Sequence, residues 1–470
     1  MHPFECCRMP SLLLKNRGDL TQGVIPRTLL TFTLPMMVSS LLQQCYNITD
    51  TLIVGQFIGR QALAAVGSAY ALMVFLVSIL SGLSMGSGTV FSQQFGAGDF
   101  PRMRRSIFMS FVFIGAIALL LNAVVFIWID PILGWLSVPD DVYGMMRSYL
   151  VIIFTGIVFT FLSNFYSSLL RSVGDSMTPL VFFAISALLN IGLDLFFILV
   201  LDMGIEGAAV ATVVSQAVGA LLIVWHTYRK CSELRLRRED MRFDVAGFKE
   251  ILSFSSLTCI QQSIMNFGIL LVQGLVNSFG TVVMAAFAAA VKIDSFAYTP
   301  VQEFGNAFST FVAQNFGAGK KDRIRSGVRS AVAVAVLFSV FVSAMVFIFA
   351  RQLMLVFVRP EEAEIIDAGV RYLRIEGSFY VGIGLLFLLY GYYRAIRRPG
   401  MSVVLTVLSL GTRVGLSYWL ASVPGIGETG IWWSIPIGWA LADIVGIACY
   451  FVKNRPNHFR SRTVGRGYFH

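Results

Sequence analysis

The sequence predicts an all-α polytopic membrane protein, with twelve transmembrane helices in two six-helix lobes related by a pseudo-twofold axis along the membrane normal. Three observations carry that prediction. The first is composition: of 470 residues, 56% are apolar and only 13% charged, where a soluble domain has roughly 45–50% and about 25%, and mean hydropathy is +0.74. This shortage of charge excludes an ordinary soluble enzyme and a disordered chain. The second is segmentation. A spanning helix needs about 20 apolar residues, and twelve such runs are legible, at about 29–54, 61–86, 107–129, 145–169, 178–201, 206–226, 250–276, 283–308, 330–350, 369–393, 401–421 and 431–452. Backbone polar groups in hydrocarbon need partners within the segment, so these runs are helices. With 40 Phe and 14 Pro, the chain suits helices better than a barrel of alternating strands. The third is an internal repeat. Gln93-Gln94-Phe95-Gly96-Ala97-Gly98 recurs as Gln314-Asn315-Phe316-Gly317-Ala318-Gly319, an offset of 221; Arg171 with Pro179, and Arg394 with Pro399-Gly400, recur at about 223; Gly207 and Gly430 differ by 223. Each copy holds six spans, an even number, so both copies keep one orientation. A duplicated bundle with an interface down its middle is transporter architecture.

The segments follow in order. Residues 1–26 are a polar N-terminal segment with no cleavable signal peptide, so the first apolar run is read as a retained span. Cys6-Cys7 would suit acylation, and a start at Met9 would omit them. Residues 27–226 form the N-lobe, 227–249 a basic linker, 250–453 the C-lobe and 454–470 a basic tail. Alternate gaps between spans hold 28 Lys and Arg on one side (among them Arg102, Arg104, Arg105, Lys320, Lys321 and Arg323) against six on the other (Arg60, Arg147, Arg351, Arg359, Arg371 and Arg374). By the positive-inside rule, the N-terminal segment, linker and tail are cytoplasmic. The same pattern accounts for the net charge of +10 without nucleic acid. The six cysteines show no disulfide or zinc spacing, and the four histidines lie near the chain ends or span ends, which argues against a histidine proton relay.

Charges inside the spans single out candidate sites. A carboxylate deep in a span costs about 2.5–3.5 kcal/mol on insertion scales, and Asp50 in span one and Asp194 in span five both bear that cost among uncharged neighbours. Asn190 lies four residues before Asp194 and shares its helix face. Span direction places Asp50, Asn190, Asp194 and Thr212 at one depth, in the outer half of the first lobe. Such a set could cage a sodium ion in oxygen ligands, or form a coupled carboxyl pair that titrates with protons. The plainer alternative is buried polar residues that hold helices together. At the repeat offsets Asp50 falls on Leu271, Asp194 on Ser417 and Asn190 on Arg413, so the acidic site belongs to one lobe. Pro35, mid-span, removes a backbone hydrogen bond and creates a kink point. The second lobe carries Lys292, Asp294, Glu303, Glu376, Arg413 and Asp443 within its spans. Lys292 or Arg413 with Asp294 are the evident pairs, and surplus carboxylates would face the cavity. Asp294, Gln262, Asn266, Glu303, Asn164 and Tyr166 are therefore candidate cavity residues, with the span-four aromatics Phe154, Phe159, Phe161 and Phe165 as either cavity lining or lipid-facing surface. Gly82, Gly86 and Gly88, among Ser81, Ser84 and Ser87, let helices approach closely. The two Phe-Gly-Ala-Gly segments suit helix C-caps, and no Gly-Lys-Ser/Thr follows them, so ATP hydrolysis is not expected. Residues 229–249 read as a solvated linker near anionic lipid.

Leu34-Pro35, Tyr46-Asn47-Ile48-Thr49-Asp50-Thr51, Gly96-Ala97-Gly98, Arg171-Ser-Val-Gly174-Asp175 before Pro179, Asn190-Ile-Gly-Leu-Asp194, Gly207-Ala-Ala-Val-Ala-Thr212, Lys292-Ile-Asp294-Ser-Phe and Gly317-Ala318-Gly319 together resemble the MATE (multidrug and toxic compound extrusion) family, over about residues 20–453. No single motif is long; their order and spacing carry the likeness. The resemblance implies a bacterial inner-membrane antiporter that exports small amphiphilic or cationic organic compounds against inward Na+ or H+. It implies that Asp50, Asn190, Asp194 and Thr212 form a cation-linked network in the N-lobe, with Asp50 and Asp194 holding the metal ion if that ion is Na+. It also implies that bending at Pro35 answers protonation at Asp50, and that an acidic residue at the place of Asp294 meets substrate. Span seven departs from the branch with an essential Glu there, offering only Gln261, Gln262, Asn266 and Gln273. The expected partners are small organic substrates and membrane lipids, with no nucleic acid, no cofactor beyond the coupling ion, and a monomeric unit. A lipid-linked oligosaccharide flippase is the alternative; it would favour a strongly basic cavity, and the span charges are mostly acidic. An enzyme is not expected, since no buried histidine and no His-Glu-x-x-His is read in the spans.

Overall fold

The computed structural model describes residues 18–135 and 140–453; the expectations for Cys6-Cys7, a start at Met9 and the tail 454–470 fall outside the described residues. Fourteen α-helices follow in order among them: α1 Ile25–Ile53, α2 Arg60–Gly96, α3 Phe100–Trp135, α4 Asp140–Thr155, α5 Ile157–Ser172, α6 Met177–Leu195, α7 Gly204–Lys230, α8 Val245–Asn277, α9 Thr281–Gly317, α10 Lys321–Met354, α11 Ala363–Gly377, α12 Tyr380–Ala395, α13 Pro399–Ala421 and α14 Glu428–Lys453. Ten segments are long and apolar enough to span a membrane alone, and the bent pairs α4–α5 (48°) and α11–α12 (51°) bring the number to twelve. Spans four and ten, read from sequence as continuous, are thus each broken. The breaks fall at Gly156 and at Ser378-Phe379, the repeat offset apart. Gly156 bonds back to Ile153 O at 2.9 Å and Phe379 to Glu376 O at 3.0 Å, the tighter i−3 pattern that ends an α-helix. Single π-type turns, Val54–Ile58 and Phe196–Val200, extend α1 and α6.

Each lobe has its own core. In the first, Phe91, Phe161 and Phe165 pack among Leu80, Leu150 and Ile223. In the second, Trp432 is fully buried, stacked on Phe287 at 5.4 Å and meeting Tyr372 edge-on at 4.9 Å. A third cluster joins the lobes: Leu29, Phe32 and Met36 of α1 pack with Phe304, Phe308 and Phe311 of α9.

Across the seam, backbones come close because side chains are missing. A Cβ on Gly82 would stand 2.7 Å from Cys259 Cα, and one on Gly86 2.5 Å from Ser255 Cα; beside them the Ser87 and Ser255 hydroxyls meet at 2.8 Å. Gly88 instead faces Ser168 within its own lobe. The repeated hexapeptides end α2 and α9 alike. Gly98 (φ 72°) and Gly319 (φ 71°) take the left-handed conformation, and their N–H groups cap Phe95 O and Phe316 O at 3.0 and 3.1 Å. The first glycines do something else. A Cβ on Gly96 would lie 1.9 Å from Gln314 O, and one on Gly317 1.9 Å from Gln93 O. Each helix end is seated in the other's. Gln93 Nε2 donates to Ala395 O (2.9 Å) and Gln314 Nε2 to Ser172 O (2.8 Å), tying the same end of the seam.

The stretch before α1 is strapped across that end. Leu20 N–H donates to Gln314 Oε1 at 3.0 Å, Lys320 Nζ to Thr21 O at 2.8 Å, and Arg323 to the carbonyls of Leu20, Gln22 and Gly23. The linker is docked at one point: Asp240 is 5% exposed and accepts from Arg104 Nε at 2.7 Å and from Arg237 N–H at 3.1 Å. Arg229, Arg235, Arg237, Arg238 and Arg242 are exposed, as expected of a solvated linker; the docking point is the acidic residue, which a run of basic residues does not reveal by itself.

Candidate functional site

In the first lobe, Asp50 on α1, Asn190 and Asp194 on α6 and Thr212 on α7 form one cluster. Asp194 is 0%, Asn190 1% and Thr212 5% exposed. The Asp50 and Asp194 carboxyl groups lie within hydrogen-bond reach of each other. Asn190, with its amide turned to satisfy its neighbours, donates to Asp194 Oδ2 at 2.8 Å and accepts from Thr212 N–H at 3.2 Å. The Thr212 hydroxyl donates to Ala208 O at 3.0 Å, and the Tyr46 hydroxyl, one turn before Asp50, reaches Thr212. Two carboxyl groups can hydrogen-bond only if one carries a proton. Stripped of it, they would set two negative charges together away from water, a strongly unfavourable state. Apart from that contact, Asp50 Oδ1 and Asp194 Oδ1 meet no hydrogen-bond donor. These oxygens offer a cation two ligands, and the donor chemistry suits either a shared proton or a hard ion such as sodium. Pro35 lies fifteen residues before Asp50 on the same helix, buried, and α1 runs through it unbroken. Proline has no N–H, so the carbonyl one turn earlier, at Thr31, lacks its usual donor.

The second lobe builds a different acidic cluster. Asp294 on α9 accepts from the Tyr380 hydroxyl at 2.5 Å and lies within hydrogen-bond reach of Glu376 on α11. Tyr372 bonds Glu376, and Arg413 on α13 is the adjacent cation. Asp294 is 5% and Glu376 3% exposed. Arg413 sits beside this cluster, whereas Lys292 is exposed on α9, two residues before Asp294 and so on nearly the opposite face of the helix. The second lobe therefore does hold a carboxyl pair, drawn from helices that the repeat offsets did not point to.

Within the second lobe, Gln261 and Gln262 (α8), Gln302 and Asn306 (α9), and Tyr390 and Arg394 (α12) line a polar chamber with room for roughly one water molecule. Arg394, 3% exposed, donates to Ser309 Oγ (3.3 Å), Asn306 Oδ1 (3.2 Å) and, across the seam, Met85 Sδ (2.8 Å). Glu303 lies nearby, with Asn306 Nδ2 at 3.4 Å and Arg171 of the other lobe as its main electrostatic partner. Of the expected cavity residues, Gln262 lines this chamber and Glu303 adjoins it. Asp294 stands apart in the tyrosine cluster. Asn164 on α5 donates to Thr160 O at 2.9 Å, and Tyr166 packs edge-on against Phe165; Asn266 on α8 is half-buried. Sequence reasoning missed Arg394 as a buried hub. Its place at a span end marks it as one more interfacial cation, and only its offset match to Arg171 hinted otherwise.

A family model, MatE, matches residues 35–196 and again 258–419, two copies displaced by the repeat offset. The chain is 29% identical over 415 residues to the probable multidrug resistance protein YpnP of Bacillus subtilis, covering 88% of this chain and 90% of that one. It is 25% identical over 432 residues, 90% of each, to the probable multidrug resistance protein NorM of Thermotoga maritima. Its fold superposes with a TM-score of 0.87 on an outward-facing multidrug resistance MATE family transporter, at 22% identity, over 92% of this chain and 97% of the other.

Proposed function

The chain belongs to the MatE family, a transporter family and not one of enzymes, and from that premise we propose that it is a cation-coupled antiporter exporting small amphiphilic or cationic organic compounds from a bacterial cytoplasm by alternating access. One observation carries the coupling: the Asp50 and Asp194 carboxyl groups lie within hydrogen-bond reach of each other, and neither Oδ1 has an N–H or hydroxyl donor from any other residue. The pair stores one proton. Sodium can replace it only by giving both carboxylates a shared counter-charge, so the two ions compete for one site. Asn190 fixes the rotamer of Asp194, and Thr212 fixes Asn190. Emptying the site leaves α1 and α6 with unopposed like charges, which biases the two helices apart.

The transport cycle follows from the seam. The positive-inside rule puts Gly96 and Gly317 on the cytoplasmic side, so the state described is closed to the cytoplasm. Opening inward must part the seated helix ends, the α1 strap and the Arg394–Met85 contact, and it then presents Arg394, Glu303 and Gln262 to compounds entering from inside. Ion and substrate must influence each other's binding equally.

The test is efflux of a fluorescent organic cation from vesicles, with Na+ and pH gradients imposed separately. Wild-type protein should respond to at least one gradient. The Asp50→Asn plus Asp194→Asn protein should lose the gradient dependence while still binding dye. Undiminished gradient-driven efflux by that variant overturns the proposed site.

A further inference from the structure

Between α10 and α14, at the end of the bundle that carries Gly96 and Gly319, lies a groove of about 930 Å³. On the α10 side, Arg325, Arg329, Val332, Val336 and Val340 line it, a spacing of three and four that keeps them on one helix face. The stripe changes character along its length. Its first two members are exposed guanidinium groups and the rest are valines. From Arg329 to Val340 is eleven residues, about 16 Å of helix at 1.5 Å per residue; half of a hydrocarbon core of about 30 Å is nearly the same. Tyr450 and Phe451 of α14 form the opposite wall. Among the described residues, neither Arg325 nor Arg329 forms an ion pair with a carboxylate.

We infer that this groove binds one anionic phospholipid of the adjoining leaflet, with its phosphate between Arg325 and Arg329 and an acyl chain along Val332, Val336 and Val340. The charge sits where a headgroup lies, and the apolar stripe is one leaflet deep. Guanidinium groups suit phosphate oxygens better than they suit water, and a basic residue near the surface adds to the attraction for anionic lipid. The chain's own tail is a poor occupant. Residues 454–470 carry Arg455, Arg460, Arg462 and Arg466 and no carboxylate, so they would set like charges against the pair. A symmetric contact with a second copy would do the same.

The experiment uses the full chain, purified in neutral detergent and analysed by native mass spectrometry after addition of phosphatidylglycerol or phosphatidylcholine. Wild-type protein should retain one phosphatidylglycerol in preference to phosphatidylcholine. The Arg325→Gln plus Arg329→Gln protein should bind it about 30-fold more weakly, from two basic residues near the surface. Val336→Trp, which sets a bulky ring across the middle of the valine stripe and leaves both charges, should also lose retention, and it serves as an independent arm if the arginine variant misfolds. The linker variant Arg235→Gln plus Arg238→Gln should retain lipid as wild type does. Equal retention of the two lipids by wild-type protein overturns the site, as does unchanged retention by both groove variants. Displacement by glycerol phosphate alone would show that only a headgroup is read, and would overturn the acyl-chain part.

Discussion

The reciprocal seating of Gly96 and Gly317 gives a quantitative prediction. Substitution by alanine adds a single carbon at each helix end. That carbon would lie 1.9 Å from a backbone carbonyl oxygen of the other lobe, where ordinary contact begins at 3.4 Å. The helix ends must therefore separate by about 1.5 Å, and the neighbour is backbone that cannot swing away. Overpacking of this kind costs about 1–3 kcal/mol, which moves an equilibrium about 5- to 150-fold. The two substitutions meet in one contact, so their effects will not simply add. Neither glycine has positive φ, and alanine is the better helix former by about 1 kcal/mol, so each lobe should be as stable as before. Only closure of the lobes should suffer. Spin labels at Arg105 on α3 and Ser326 on α10, both exposed, in protein whose native cysteines have been replaced, report the opening. Gly96→Ala should shift the distance distribution towards longer separations and slow dye efflux. An unchanged distribution together with unchanged efflux would refute the reasoning.

Three further outcomes are expected. Arg323→Ala removes charged donors from three carbonyls of the α1 strap, worth about 2 kcal/mol; amide exchange over residues 18–24 should accelerate, and unaltered protection would count against the strap. Asp240→Ala leaves Arg104 half-buried without its partner, and should lower stability by about 3 kcal/mol, read as a fall in the thermal midpoint. Trp432→Ala empties the fully buried stack between Phe287 and Tyr372, at a cost of about 3–5 kcal/mol, and a midpoint within a degree of wild type would show that the stack is not a keystone of the second lobe.

The spans were legible because hydropathy is a local property, and the repeat because it survives as letters. The first-lobe cluster was legible for a different reason: a carboxylate in a span is conspicuous, and counting span direction puts Asp50 and Asp194 at one depth. What failed was anything decided by azimuth or by a partner across the seam. Gly96 and Gly98 look alike in sequence. One caps a helix and the other admits a foreign carbonyl, and the difference lies in the other lobe's backbone. Arg394 reads as an interfacial cation because hydropathy cannot tell a helix end facing water from one facing another helix. The pairing of Asp294 with Tyr380 and Glu376, rather than with Lys292, follows from the bend between α11 and α12, which no composition window reports. The breaks at Gly156 and Ser378-Phe379 escaped for the same reason, since a span bent by about 50° has the same apolar length as a straight one.

The clasp of Gly96 on Gln314 and Gly317 on Gln93 is self-complementary: the same surface appears on both sides with the roles exchanged, as in a twofold homodimer. An ancestor of half this length, paired with itself, would have closed by the identical contact, and any change in its hexapeptide would have struck both sides at once. In a single chain that constraint is gone. Each half became free to place its carboxyl groups on different helices, α1 and α6 in one and α9 and α11 in the other, while the meeting surface stayed matched because neither side can change alone without parting the two.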